Sequence, residues 1–175
     1  MPDEPQPIRL VIAGFMGAGK SSIAQALSKR LLIRMIDLDH FIQTLHCRTL
    51  REIIDMDGET VFRNIETRAL GEVLARKTAR IIALGGGAWA IETNRLLIEK
   101  SGALSVWIDA SFDLCWKRIS GSGLVRPFVR EMEEARKRFE ARRATYQLCR
   151  IHIMASENST PDELAKQIID LTGIV

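Results

Sequence analysis

Residues 14–21, GFMGAGKS, have the spacing glycine, four residues, glycine, lysine, serine. A loop with this pattern turns from a strand into a helix while aiming successive backbone N–H groups at anionic oxygens. Gly14, Gly17 and Gly19 let the backbone come close and adopt positive φ. The N-terminus of the following helix adds partial positive charge. Lys20 is placed to reach β and γ phosphates, and the Ser21 hydroxyl to ligate Mg2+. A merely structural glycine turn is the alternative, and the flanks decide between the two. IRLVIA at 8–13 is a short apolar run of the kind seen in buried parallel strands. In 22–32, SIAQALSKRLL, the apolar residues Ile23, Ala26, Leu27 and Leu31 recur at helical spacing on one face. Strand, loop and helix in this order predict a nucleotide-binding unit.

The rest of the chain repeats the alternation. Strands are expected at 33–37, 80–84, 104–108 and 150–154, with helices between them, which implies a mostly parallel sheet covered on both faces. Thr49–Glu52 and Thr160–Glu163 are capping boxes, the second with Pro161 at the first helical position. The 175 residues suit one domain, and 46% hydrophobic and 27% charged residues describe an ordinary globular protein. Residues 1–7, with three of the five prolines, predict a disordered tail. A net charge of +3 is too slight to imply nucleic acid. No apolar run approaches the roughly 18 residues of a membrane span, and the N-terminus lacks the pattern of a secretory signal. Cys47, Cys115 and Cys149 are scattered and read as reduced thiols. The cytoplasm is the expected compartment. His40, His46 and His152 have no ligand spacing.

Three further stretches carry candidate chemistry. Asp37 and Asp39 fall at the C-terminal end of the second strand, where open α/β sheets bind ligands. On an extended segment both carboxylates would face the same way, Asp37 toward a metal and Asp39 toward an incoming hydroxyl; alternatively Asp39 caps a helix over 40–45. Glu59, Arg63 and Glu66 form a stripe on the helix over 59–77. Spacing alone favours solvated salt bridges, the other reading being that the glutamates orient Arg63 as a fork for a substrate carboxylate. Gly85, Gly86 and Gly87 come directly after a strand, which favours close approach of a ligand to bare backbone over a flexible turn. Trp89 beyond them fits either a pocket wall or the core. Gly121 and Gly123 precede a basic segment that includes Arg126, Arg142 and Arg143. Its charge is diluted by Glu131, Glu133, Glu134 and Glu140, so a lid that excludes water fits better than a nucleic-acid surface.

GFMGAGKSS at 14–22, IDLD at 36–39, DGETVFRNIET at 57–67, LGGGA at 84–88 and RPF at 126–128, in this order, resemble the shikimate kinase family, small P-loop kinases of the nucleoside monophosphate kinase group. The resemblance spans nearly the whole chain after residue 7. It implies a three-layer α/β domain over 8–175, a five-stranded parallel sheet in the order 2-3-1-4-5, and a mobile lid at about 121–136. It also implies ATP-dependent phosphorylation of the shikimate 3-hydroxyl, with ATP and Mg2+ bound, by a monomer without nucleic-acid or membrane partners. A kinase for another hydroxy acid such as gluconate, or a non-catalytic nucleotide-binding relative, is the alternative. By resemblance, Gly14, Gly17, Ala18, Gly19, Lys20, Ser21, Ser22, Arg118 and Arg126 hold the nucleotide, and Ser21 and Asp37 the metal. Asp39, Arg63, Gly85, Gly86, Gly87 and Arg142 bind the acceptor, and Lys20, Asp39 and Arg126 serve catalysis. The sequence departs from the family pattern where Ala144 replaces a proline after Arg142, leaving Arg143 as a competitor for the second carboxylate contact, and where Leu38 separates the two aspartates. The lid is also a few residues short of the family's.

Overall fold

A computed structural model gives the fold and describes residues 7–121 and 132–175. The expected tail therefore lies outside the described residues except for Pro7, as do Arg126 and the central part of the expected lid. Five short strands, β1 (Leu10–Ala13), β2 (Met35–Asp37), β3 (Ile81–Ala83), β4 (Leu104–Ala110) and β5 (Ile151–Ala155), form one sheet in the order β2-β3-β1-β4-β5. Every neighbouring pair is parallel. This is the 2-3-1-4-5 order implied by the resemblance. β1 and β3 are buried along their whole length, which is why their sequences are continuously apolar and do not alternate.

Helices cover both faces. α1 (Lys20–Leu31) packs with α8 (Pro161–Thr172) on one side, and α4 (Glu59–Arg76) packs with α5 (Glu92–Lys100) on the other. α2 (Leu38–His46) and α3 (Leu50–Asp57) adjoin α4. α6 (Phe112–Gly121) and α7 (Met132–Tyr146) pack on each other. Both expected capping boxes form, at Thr49 and at Thr160. The helix expected to reach from the arginine segment to Tyr146 is described from Met132 onward.

Register decides where the site falls. Ile12 is aligned with Ala83, and Ala83 with Asp37. The C-terminal ends of β1, β3 and β2 are therefore level, and Gly14, Gly85 and Asp37 emerge at one edge of the sheet. The core beneath is built from Leu10, Ile12, Ile23, Leu27, Ile82 and Ile108, all essentially inaccessible to solvent.

Candidate active site

The loop between β1 and α1 has the conformation its glycines allow. Gly14, Gly17 and Gly19 have φ of 146°, 78° and 99°, values that side-chain-bearing residues rarely adopt. A Cβ on Gly17 would stand 2.6 Å from the Cys115 carbonyl oxygen of α6, and one on Gly14 would stand 2.9 Å from that of Ile108 in β4. Lys20 is only 8% exposed and donates from Nζ to the Phe15 carbonyl at 3.0 Å, lying back over the loop. Arg118 reaches across from α6 and donates from Nη1 to the carbonyls of Gly17 (3.3 Å) and Ala18 (3.2 Å). A cavity of about 260 Å3 opens here, lined by Gly17, Gly19, Lys20, Ser21, Ser22 and Arg118. The expected nucleotide-binding residues therefore come together, apart from Arg126, which lies outside the described residues.

The aspartate pair departs from expectation. The chain does not stay extended through Asp39; it enters α2 at Leu38, whose side chain is fully buried. Asp37, not Asp39, is the N-cap, its Oδ1 accepting from the His40 N–H at 3.1 Å. Its Oδ2 accepts a hydrogen bond from the Ser21 hydroxyl. Asp39 lies in the first helical turn. Asp37 thus engages the phosphate loop through Ser21, while Asp39 stands between the phosphate loop and the glycine triplet. The Ser21–Asp37 oxygen pair suits a hard cation. No cluster of three or more His, Cys, Asp or Glu side chains occurs among the described residues, so the remaining ligands of such a cation would be phosphate and water.

On the other side of Asp39 is a charged enclosure. Arg63 donates from Nη1 to Glu66 Oε2 at 2.7 Å and from Nη2 to Glu59 Oε1 at 3.3 Å. The expectation of solvated salt bridges holds for half-exposed Glu59 but fails for Glu66, which is 1% exposed. Burial pushes the Glu66 carboxyl upward, opposed chiefly by the Arg63 guanidinium. Burial likewise pushes the Arg142 guanidinium downward. Arg142 points at the triplet, donating to the Gly86 carbonyl at 3.1 Å. Arg143 instead pairs with Asp109 at 3.4 Å and lies over Trp107. Between the two competing arginines, geometry places Arg142 in this enclosure.

The triplet needs glycine for space and not for φ, since none of its residues falls in the left-handed range. A Cβ on Gly85 would stand 2.5 Å from Asp39 Oδ1 and 2.9 Å from Glu66 Oε1; on Gly87 it would stand 2.7 Å from both Nη atoms of Arg63. All three carbonyls are occupied: Gly85 accepts from Ala88 N (3.2 Å), Gly87 from Ala90 N (3.1 Å), and Gly86 from Arg142 and the Tyr146 hydroxyl (2.5 Å). Gly86 O, with two bonds, is saturated, whereas the carbonyls of Gly85 and Gly87 each accept one. A cavity of about 60 Å3 sits against it, lined by Asp39, Phe62, Arg63, Glu66, the triplet and Arg142. Met16, Asp39 and Gly86 line both cavities, which therefore adjoin.

Sequence reasoning missed Met16, and also Asn94 and Arg95, which bind the carbonyls just beyond the triplet. The available signal was an amide and a guanidinium in the first turn of the helix directly after a glycine run. Trp89 proves to be core, buried with Nε1 donating to the Thr145 carbonyl at 2.9 Å. None of the three histidines lines either cavity. Cys115 and Cys149 are buried free thiols pushed up to about 11 and about 12 by desolvation, so they remain protonated.

Known proteins share this arrangement. The family model described as shikimate kinase matches residues 16–172. The shikimate kinase of Flavobacterium johnsoniae is 36% identical over 168 residues, 93% of this chain and 98% of the relative. Among solved structures, the shikimate kinase from Acinetobacter baumannii in complex with shikimate superimposes with a TM-score of 0.87 at 25% identity, covering 95% of this chain and 93% of that one. The shikimate kinase from Aquifex aeolicus does so with a TM-score of 0.79 at 28% identity, covering 95% and 97%. A phosphate loop meeting a small charged enclosure at Asp39, on a 2-3-1-4-5 sheet and with these relatives, places the chain in the shikimate kinase family.

Proposed function

We propose that the protein transfers the terminal phosphoryl group of ATP to the 3-hydroxyl of shikimate, giving shikimate 3-phosphate and ADP, a step toward chorismate and the aromatic amino acids. The observation that carries this reading is the placement of Asp39 and Gly86 in the walls of both cavities, so that a hydroxyl held in one faces a phosphoryl group held in the other. Arg63, fixed by Glu59 and Glu66, forms a fork for the acceptor carboxylate, and Arg142 adds the second positive charge. The hydroxyl oxygen bonds to the γ phosphorus as the bond to the β–γ bridging oxygen breaks, and Asp39 accepts the hydroxyl proton. Lys20 moves from Phe15 onto the β and γ phosphates, and backbone N–H groups of residues 14–19 surround them. Ser21, and Asp37 through water, would hold Mg2+, which would supply positive charge against the phosphate oxygens. Arg118 lies against the adenine. Arg126, brought in with the lid, adds charge at the γ phosphate.

The same reading has the protein act as a monomer in the cytoplasm, without nucleic acid. Unpaired cysteines and the mixed charge of α7 support it, and no helix among the described residues is long and apolar enough to cross a membrane. Retention of Lys20, Ser21 and Asp37 argues against a non-catalytic relative. ADP release, coupled to a reporter, is measured with shikimate, gluconate and nucleosides as separate acceptors. Turnover that depends on shikimate is expected; gluconate-dependent turnover in its place would move the acceptor to a linear acid, and none with any acceptor would end the enzymatic reading.

A further inference from the structure

The glycine triplet is too unconstrained to hold its own shape, because no glycine has a side chain to restrict it. Directly after it comes a single 3-10 turn, Ala88–Ala90, whose N–H groups bind the carbonyls of Gly85 and Gly87. The carbonyls of that turn are gripped in succession by two adjacent residues of α5. Asn94 donates from Nδ2 to Ala88 O at 2.9 Å. Arg95 donates from Nη1 to Trp89 O at 2.8 Å and to Ala90 O at 2.9 Å. Neither residue lines the cavities of the active site. We propose that Asn94 and Arg95 are positioning residues for the acceptor, a bracket that acts through the 88–90 turn to set the height of the glycine triplet against Asp39 and Arg63.

Two observations separate this role from ordinary fold support. Asn94 is fully buried, yet its Oδ1 has no hydrogen-bond partner among the described residues, an arrangement that disfavours the folded state. The amide therefore contributes through its donor, and that donor goes to the turn. Arg95 is partly exposed, lining an outer cavity of about 550 Å3 beside Trp89 and Arg150. Its guanidinium thus spans from the outer surface to the backbone that continues the acceptor loop. The middle of the turn is tied by Trp89 Nε1 to Thr145 of α7, the helix whose Arg142 and Tyr146 hold Gly86. The loop is thereby clamped from two sides, and an acceptor in contact with its backbone would be sensitive to its position.

The inference rests on the proposed acceptor site, so its test has two arms in the intact protein. In the first, backbone amide exchange is monitored by mass spectrometry in Arg95→Ala, Arg95→Lys and Asn94→Leu. Peptides covering 85–90 should exchange faster in Arg95→Ala and Asn94→Leu, while those covering 14–20 stay as in wild type. Unchanged exchange at 85–90 overturns the bracket whatever the acceptor is. In the second, Arg95→Ala should raise the shikimate KM roughly three- to tenfold, the loss of one to two charge-assisted hydrogen bonds acting indirectly, with the ATP KM within about twofold. Arg95→Lys, which keeps a charged donor, should recover part of the loss. Asn94→Leu should raise the shikimate KM without lowering the melting temperature, since it removes the unpaired oxygen along with the donor; if it does not fold, the arginine pair decides. Equal rises in both KM values overturn the proposal, as does an unchanged shikimate KM. Wild type without shikimate turnover counts against the acceptor assignment alone, and the exchange arm still judges the bracket.

Discussion

The active site has two glycine loops at the same edge of the sheet, and they use glycine for different reasons. In the phosphate loop, three glycines have positive φ, and added side chains at Gly14 and Gly17 would strike the carbonyl oxygens of Ile108 and Cys115. Its shape is enforced by backbone against backbone. In the triplet, φ is ordinary, and added side chains at Gly85 and Gly87 would strike Asp39, Glu66 and Arg63 at the ends of their side chains. Its shape leaves room for charges. The first loop is held by its own backbone and its neighbours' carbonyls; the second is shaped around the side chains of Asp39, Glu66 and Arg63.

The largest expected effect comes from damaging the rigid loop. Gly17→Ala forces an alanine into the left-handed region and against a carbonyl, which costs about 2 kcal/mol or more and lowers the melting temperature by roughly 4–8 °C; calorimetry should also show ATP binding lost. A melting temperature equal to wild type breaks the contrast between the loops. Next, Arg63→Ala should raise the shikimate KM roughly ten- to a hundredfold, because charge-assisted hydrogen bonds are lost, with the ATP KM nearly unchanged. Steady-state kinetics with each substrate varied in turn reads this, and equal effects would remove Arg63 from the acceptor side. Gly87→Ala displaces the same guanidinium without removing it, so a rise of roughly tenfold or less is expected. Its melting temperature should stay near wild type, since the far end of a flexible side chain can give way.

The smallest effect concerns pH. Burial raises the Glu66 pKa above the ordinary 4.5, so the protonated carboxyl favours the folded protein. That contribution is fully present below the unfolded-state pKa and is lost as pH rises through the folded-state value. Glu66→Gln abolishes this titration. The melting temperature of the variant minus that of wild type should therefore increase from pH 4.5 toward neutrality, and a difference that is flat with pH would show that pairing with Arg63 offsets the burial of Glu66 in full.

The same division governs how much of the molecule was legible in its sequence. The phosphate loop could be recognised from residues 14–21 because its requirements are local: backbone angles, a lysine and a hydroxyl at fixed spacing. The strands were legible for a similar reason, since burial on both faces writes itself as continuous apolar runs. Sheet order came only through family resemblance, because which strands pair is not a local property. Asp37 and Asp39 are legible as a pair at the end of β2, but not the point at which β2 gives way to α2, which makes Asp37 the N-cap and leaves Asp39 in the first helical turn. Glu66 looked like a solvated helix charge because its burial depends on neighbours distant in the chain, including Gly85 and Arg142. The choice between Arg142 and Arg143 was invisible for the same reason, and a carbonyl on Gly86 decides it.

On the proposed reading, the acceptor cavity has a polarity with a direction: Arg63 and Arg142 would donate along one side, and Asp39 would accept at the junction with the phosphate loop. A carboxylate, a run of lone pairs and a reacting hydroxyl must then meet three different points that do not lie on one line. A mirror-image molecule that satisfies two of them presents the wrong group to the third. On that reading, the handedness of the acceptor would be sensed by the distribution of donors and acceptors around a small space.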